Sequence, residues 1–253
     1  MRVAAIQHDI VWEDAPATHE HVAPLIAKAA SDGARLVVLT EMFSVGFTMA
    51  TDRVAQPADG PSARFLFEQA TTHGVWLAGS IPCRATTEGD KPTNRMLLVS
   101  PDGVVAHYDK LHPFSFAGED EHYAPGDATI TVGVDGVRVT PFVCYDLRFA
   151  NVFWDVAAGT DLYLVVANWP DARRHHWTAL LTARAIEDQA YVVGVNRVGT
   201  GGGLSYAGDS VILDPMGAVL AAAGSDETLI AADVDPAVVT DVRARFPFLA
   251  DRR

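Results

Sequence analysis

The chain has 253 residues, 49% hydrophobic and 20% charged, which is enough for one large core, so one α/β-sized domain over residues 1–253 is expected. Its 32 acidic and 19 basic side chains leave a formal net charge of −13, which repels nucleic-acid phosphates and anionic lipid and excludes both as expected partners. Two cysteines, Cys83 and Cys144, the absence of a signal-like run in MRVAAIQHDI, and the absence of any segment of about 18 apolar residues point to a cytoplasmic, soluble protein.

In chain order, Val3 to Ile6 is a short apolar run that reads as a strand buried on both faces. Pro16 to Ala30 carries Val22, Leu25, Ile26 and Ala29 at helical spacing. Leu36 to Leu39 reads as the next strand and ends at Thr40-Glu41. A helix is expected over 62–73 with Pro61 in its first turn, then a strand from Val75 to Ile81 and an exposed polar loop from Arg84 to Thr93. Arg95 to Ser100 and Val104 to Tyr108 flank Pro101-Asp102-Gly103, a hairpin signature that delivers Asp109 and Lys110 at its exit.

Phe114 to Asp127 reads as a long loop with Glu119, Asp120 and Glu121 among aromatic residues. A strand through Val137, Val139, Phe142 and Val143 then runs into Cys144, where a nucleophile at a strand end would meet a substrate. A weakly helical stretch to Ala158 follows, then a strand from Leu162 to Val166, a helix from about His176 to Gln189, and a strand from Val192 to Val195. Gly199 to Gly203 reads as a glycine-rich loop. Ser210–Leu213 and Ala218–Ala222 form a second hairpin around Asp214-Pro215-Met216-Gly217, Ile230 to Val234 closes the sheet, and 236–245 is a last helix. Each half thus gives strand, helix, strand and a proline-glycine hairpin, which implies an α/β or layered α-β sandwich and suggests two stacked sheets.

Taken singly, Cys144 reads as a small buried hydrophobe, Glu41 as a solvated strand-end acid and Lys110 as a surface lysine. No histidine matches a thiol-protease signature, whereas Glu41 and Lys110 both fall at the inferred edge that carries Cys144. A carboxylate, an ammonium and a thiol meeting there would supply a base, an oxyanion clamp and a nucleophile. His175, His176 and Asp171 lack metal-ligand spacing, and Gly199 to Gly203 lacks the phosphate-binding pattern, so no metal and no cofactor is expected.

VVLTEMFSVGF around Glu41, HYDKLHPF around Lys110 and FVCYDLRF around Cys144 resemble the nitrilase, or carbon-nitrogen hydrolase, superfamily, and the likeness extends over essentially the whole chain. It is greatest to the omega-amidase branch, which hydrolyses the side-chain amide of 2-oxo acids. The resemblance implies a four-layer α-β-β-α sandwich, completed across a homodimer, and a small-molecule amide substrate. It implies catalytic roles for Glu41, Lys110, Cys144 and Glu119, with Lys110 and the backbone N–H of Tyr145 holding the oxyanion. A carboxylate-bearing substrate needs a cation, for which Arg173 and Arg148 are candidates, although Arg148 reads equally as a partner of Asp146. Phe43, Phe114, Phe116 and Trp169 are candidate pocket walls. Thr40 and Ala150 stand where many relatives have proline, and Asp188 where the branch often has asparagine.

Overall fold

The computed structural model describes residues 1–103 and 105–252; the expected strand start at Val104 lies outside the described residues. The first half runs β1 (Arg2–Gln7), α1 (Ala15–Ser31), β2 (Leu36–Val38), α2 (Thr51–Val54), α3 (Pro61–His73), β3 (Trp76–Cys83), β4 (Thr93–Val99) and β5 (Val105–Asp109). The second contains α4 (Glu119–His122), β6 (Val132–Val134), β7 (Val137–Val143), α5 (Ala150–Val156), β8 (Leu162–Ala167), α6 (Arg174–Asp188) and β9 (Tyr191–Asn196). It ends with β10 (Val198–Gly201), β11 (Leu204–Ala207), β12 (Val211–Leu213), β13 (Val219–Ala222), β14 (Thr228–Asp233) and α7 (Pro236–Arg245).

Local chemistry sets the helix limits. Asp14 caps α1 by accepting the Ala17 N–H at 3.0 Å. Pro61 opens α3, and Gly74, at φ 64°, closes it in the left-handed conformation that glycine adopts without a Cβ clash.

Two six-stranded sheets result, ordered β14-β1-β2-β3-β4-β5 and β13-β12-β9-β8-β7-β6. Each has three parallel central strands, β1-β2-β3 and β7-β8-β9, extended by an antiparallel hairpin, β4-β5 or β12-β13. The alikeness of the two halves is therefore real. The period-two alternation of the strands divides the first sheet's side chains. Val3, Ala5, Leu36, Val38, Met96 and Leu98 enter one cluster with the β7–β9 residues of the second sheet. Ala4, Ile6, Val37, Leu39 and Leu77 face the other way, onto Val22 and Ile26 of α1 and Leu66 and Ala70 of α3. Trp177, Leu181 and Ala185 of α6 and Phe153 of α5 cover the second sheet. The layers are α-β-β-α.

Three local readings change. Gly199 to Gly203 is mostly ordered into the β10–β11 hairpin, with Val198 opposite Ala207 and Gly201 opposite Leu204. Glycine is needed there because Gly201 packs on Trp12 and Arg197, where a Cβ would come within 2.6 Å of either. Phe114 to Asp127 is not a uniform loop: it contains a 3-10 turn, Ser115–Ala117, and then α4. The short strand β6 pairs with β7 at the sheet edge, and α6 begins at Arg174, before the expected His176.

The first sheet is closed by residues remote in sequence. β14 pairs antiparallel with β1 along its whole length, from Arg2↔Asp233 to Gln7↔Thr228. The Met1 amino group donates to the Val234 carbonyl at 2.7 Å, across 233 positions.

Candidate active site

β2 and β7 run parallel to their central neighbours, and β5, reversed twice from β3, runs the same way as β3. Their carboxyl ends are where an α/β sheet opens a crevice for ligands. Glu41 lies beyond β2, Lys110 directly follows β5, and Cys144 directly follows β7.

The three converge with Glu119, the first residue of α4. Lys110 Nζ donates to Glu41 Oε1 at 2.9 Å, and to Glu119 Oε2 at 2.8 Å and Oε1 at 3.1 Å. The Lys110 side chain is 1% exposed and both carboxylates are 0% exposed, so neither the strand-end acid nor the surface lysine is solvated. Glu119 is not one of a solvated acidic triplet either. The Phe114 backbone N–H and Asn94 Nδ2 also donate to it, which draws it inward while Glu121 stays exposed.

Neither Asn94 nor Asn168 is assigned a role by the sequence, because an amide does not titrate, although Asn168 opens the charged segment NWPDARRHHW. Asn94 Nδ2 donates to Glu41 Oε1 at 2.8 Å and to Glu119 Oε1 at 3.2 Å. The backbone N–H of Asn168 donates to Glu41 Oε2 at 2.8 Å, and its side-chain amide donates to the Glu41 carbonyl at 2.6 Å. Asn168 directly follows β8, so the second sheet holds the glutamate that the first sheet carries.

Cys144 adopts φ 48°, in the left-handed region that costs an L side chain about 1–2 kcal/mol. Asp146 holds the turn. Its Oδ2 accepts from the Val143 N–H at 3.1 Å and from the Tyr108 hydroxyl at 2.7 Å, and its Oδ1 from the backbone and ring N–H of His112, each at 2.9 Å. Tyr108 and His112 flank Lys110 and Val143 precedes Cys144, so one buried carboxylate ties the lysine's segment to the cysteine's turn. Arg148 does not pair with Asp146. It stacks on Trp169 at 4.8 Å from the ring centroid and meets His176 Nδ1 at 3.2 Å, because Asp146 is already filled.

The electrostatics follow from burial. Desolvation, reinforced by the negative charge of Glu41, pushes the Cys144 thiol well above its ordinary range. Burial would pull Lys110 down, but Glu119 and Glu41 overcome it and hold the ammonium well above its usual value. Burial raises the Glu119 carboxyl, partly offset by Lys110. The thiol thus rests protonated beside a charged lysine.

Cys144 opens into a pocket lined by Phe47, Phe114, Tyr145, Arg148, Trp169, Arg173 and Tyr206. Phe114 and Trp169 are walls, as expected. Phe43 is not: it is 0% exposed and packs in the α1–α3 core against His19 and Phe65, because it points to the sheet's other face. Phe116 is 84% exposed and outside the lining, since the turn at Ser115–Ala117 rotates it outward. Phe47, Tyr206 and Leu204 also line the pocket; the latter two lie on β11, just past the expected glycine-rich loop. Arg173 Cζ lies 5.5 Å from the Phe114 ring centroid and has no carboxylate partner among the described residues.

A buried carboxylate–lysine–carboxylate cluster beneath a thiol, at the carboxyl edges of two stacked sheets, defines a cysteine-dependent hydrolase site of the sandwich type. The carbon-nitrogen hydrolase family matches residues 2–244, and the chain belongs to that family. It is 40% identical over 253 residues to Omega-amidase YafV of Escherichia coli K12, covering 99% of this chain and 96% of that protein. It is 31% identical to the 2-oxoglutaramate amidase of Bacillus subtilis strain 168, covering 99% and 97%. Among solved structures, XC1258 from Xanthomonas campestris, a CN-hydrolase superfamily protein with an arsenic adduct in its active site, superposes with a TM-score of 0.93 at 37% identity, covering 100% of this chain and 97% of that one. An amidase from Nesterenkonia sp. AN1, with the acetamide moiety of fluoroacetamide added covalently at its active site cysteine, gives 0.85 at 26% identity, covering 100% and 94%.

Proposed function

We propose that the protein hydrolyses the side-chain amide of a small carboxylate-bearing substrate of the 2-oxoglutaramate or 2-oxosuccinamate type, giving the acid and ammonia through a Cys144 thioester. The observation that carries this reading is the buried Glu41–Lys110–Glu119 cluster beneath Cys144, at the base of a pocket that also holds Arg148 and Arg173. The omega-amidase and 2-oxoglutaramate amidase relatives support the choice of amide.

In this mechanism Glu41 takes the thiol proton as Sγ attacks the amide carbon, and the carbonyl electrons move onto oxygen. Lys110 and the Tyr145 backbone N–H stabilise that oxyanion, each such donor being worth roughly 3–4 kcal/mol in other acyl-transfer enzymes. Collapse breaks the C–N bond, and Glu41 returns its proton to the departing nitrogen, so ammonia leaves and a thioester remains. Water then attacks the thioester with Glu41 as base. The carboxylic acid leaves and the proton returns to sulfur. Glu119 fixes Lys110, and Arg173, with Arg148 beside it, grips the distal carboxylate.

The reading includes a homodimer, supported by apolar Ile186, Met216 and Val219 on the outer surface, at 50%, 50% and 62% exposure. Sedimentation velocity at micromolar concentration should give twice the 27.1 kDa chain mass.

Ammonia release from 2-oxoglutaramate, 2-oxosuccinamate, glutamine, asparagine and simple aliphatic amides tests the assignment. The 2-oxo monoamides should show the highest kcat/KM. Equal turnover of uncharged amides would refute the carboxylate-binding part, and no turnover of any amide would refute the whole.

A further inference from the structure

We infer that Asn94 is a positioning residue that selects the Glu41 oxygen that receives the Cys144 proton. The inference rests on the thiol mechanism proposed above. A carboxylate oxygen offers two lone pairs. On Glu41 Oε1 both are taken, by Lys110 Nζ at 2.9 Å and Asn94 Nδ2 at 2.8 Å. Oε2 accepts a single hydrogen bond, from the Asn168 backbone N–H at 2.8 Å. The free lone pair of the base is therefore on Oε2.

A chain of donors fixes the direction of the Asn94 amide. The Met42 N–H donates to Ser80 Oγ at 2.7 Å, which turns the Ser80 hydroxyl to donate to Asn94 Oδ1 at 2.8 Å. With Oδ1 so engaged, Nδ2 faces the carboxylates. Asn94 and Ser80 are 1% and 0% exposed, so water does not replace either bond. Asn94 also donates to Glu119 Oε1 at 3.2 Å, so one neutral amide spans two carboxylates that share one lysine.

The titratable groups facing this pair are Lys110 beyond β5, Cys144 beyond β7, Tyr123 after α4 and Tyr206 on β11, with Glu13 beside Tyr123 and Arg197 and Arg173 beside Tyr206. Changing Asn94 or Ser80 leaves each of these groups in the chain, so a shift in the profiles reports on the bonds to Glu41 and Glu119.

The test uses Asn94→Asp, Asn94→Ser and Ser80→Ala in the full-length chain, with folding checked by circular dichroism and melting. Two readouts are taken across pH: kcat and KM for the best amide of the wild-type protein, and the rate of Cys144 carboxamidomethylation by iodoacetamide, located by mass spectrometry. Asn94→Asp adds a third carboxylate. It should lower kcat at least about tenfold with KM within about twofold, and move the acid limb of both profiles up by about one pH unit. Asn94→Ser should shift the limb in the same direction by less, and Ser80→Ala by the least. Profiles of Asn94→Ser and Ser80→Ala that superpose on the wild type, or a loss confined to KM, overturn the inference. The alkylation profile needs no substrate. If the amide panel fails while the alkylation shifts persist, the substrate assignment falls and the positioning role stands.

Discussion

The Tyr108 hydroxyl donates to Asp146 Oδ2 at 2.7 Å, joining the strand that leads to Lys110 with the turn that carries Cys144. Lysine and thiol are thus held at a fixed separation by a bond in which neither takes part. Tyr108→Phe removes one of four donors from a buried carboxylate and should cost about 1–3 kcal/mol. Asp146→Ala removes the acceptor for all of them and should cost about 3–5 kcal/mol. Urea unfolding measures both, and kcat should fall in the same order.

Cys144→Ala is expected to abolish amide hydrolysis and leave the fold intact. Cys144→Gly separates the reactive role of the side chain from its backbone strain. Since φ is 48° at this position, glycine should be more stable than alanine there by about 1 kcal/mol. Thermal melts of the two inactive variants provide the comparison, and equal melting temperatures would show the turn to be unstrained.

Arg173 and Arg148 differ in their restraints. Arg148 is held by the Trp169 ring and His176, whereas Arg173 lies over the Phe114 ring face and has no carboxylate partner among the described residues. Arg173→Ala should raise KM for carboxylate-bearing amides about 10- to 100-fold, the range of a lost charged hydrogen bond, and leave neutral amides unaffected. Arg148→Ala should have a smaller effect. Steady-state kinetics on paired charged and uncharged amides decide the order.

Asp188 is 1% exposed, and its Oδ2 has no hydrogen-bond partner among the described residues. Burial raises its carboxyl from 3.8 to about 7, although Arg184 and Arg243 oppose the rise. Because the folded value exceeds the unfolded one, the neutral acid is favoured in the fold. Its contribution is present at low pH and is lost as pH rises from about 4 through about 7. Asp188→Asn should flatten that part of the stability profile and stabilise the protein at pH 8 by about 2–4 kcal/mol. Chemical denaturation at pH 5 and pH 8 checks the sign.

The parallel strands were legible because strands buried on both faces are apolar runs, and Glu41 and Cys144 follow two of them, whereas Lys110 was placed by the hairpin signature that precedes the edge strand β5. What pairwise spacing does not encode is direction across the sheet. Phe43, two residues past Glu41, points to the opposite face and joins the core. Phe116, two residues past Phe114, is turned outward by a 3-10 turn that the aromatic pattern does not mark. Glu119 resembled its acidic neighbours because only the fold brings Lys110 and the Phe114 N–H to it. Asn94 and the Asn168 backbone act through hydrogen bonds alone, so even where the segment is singled out, as NWPDARRHHW is, an uncharged amide does not announce its role.

The pairing of β14 with β1 has a consequence for biogenesis. Synthesis proceeds from the N-terminus, so β1 emerges before β14 and its outer edge stays unpaired until β14 has been made. Until then the nascent sheet offers an open row of peptide groups beside apolar Val3, Ala4, Ala5 and Ile6, a template for pairing with another chain. Any intermediate in which β14 has not yet paired therefore leaves this edge open, and β14 is the strand that seals it.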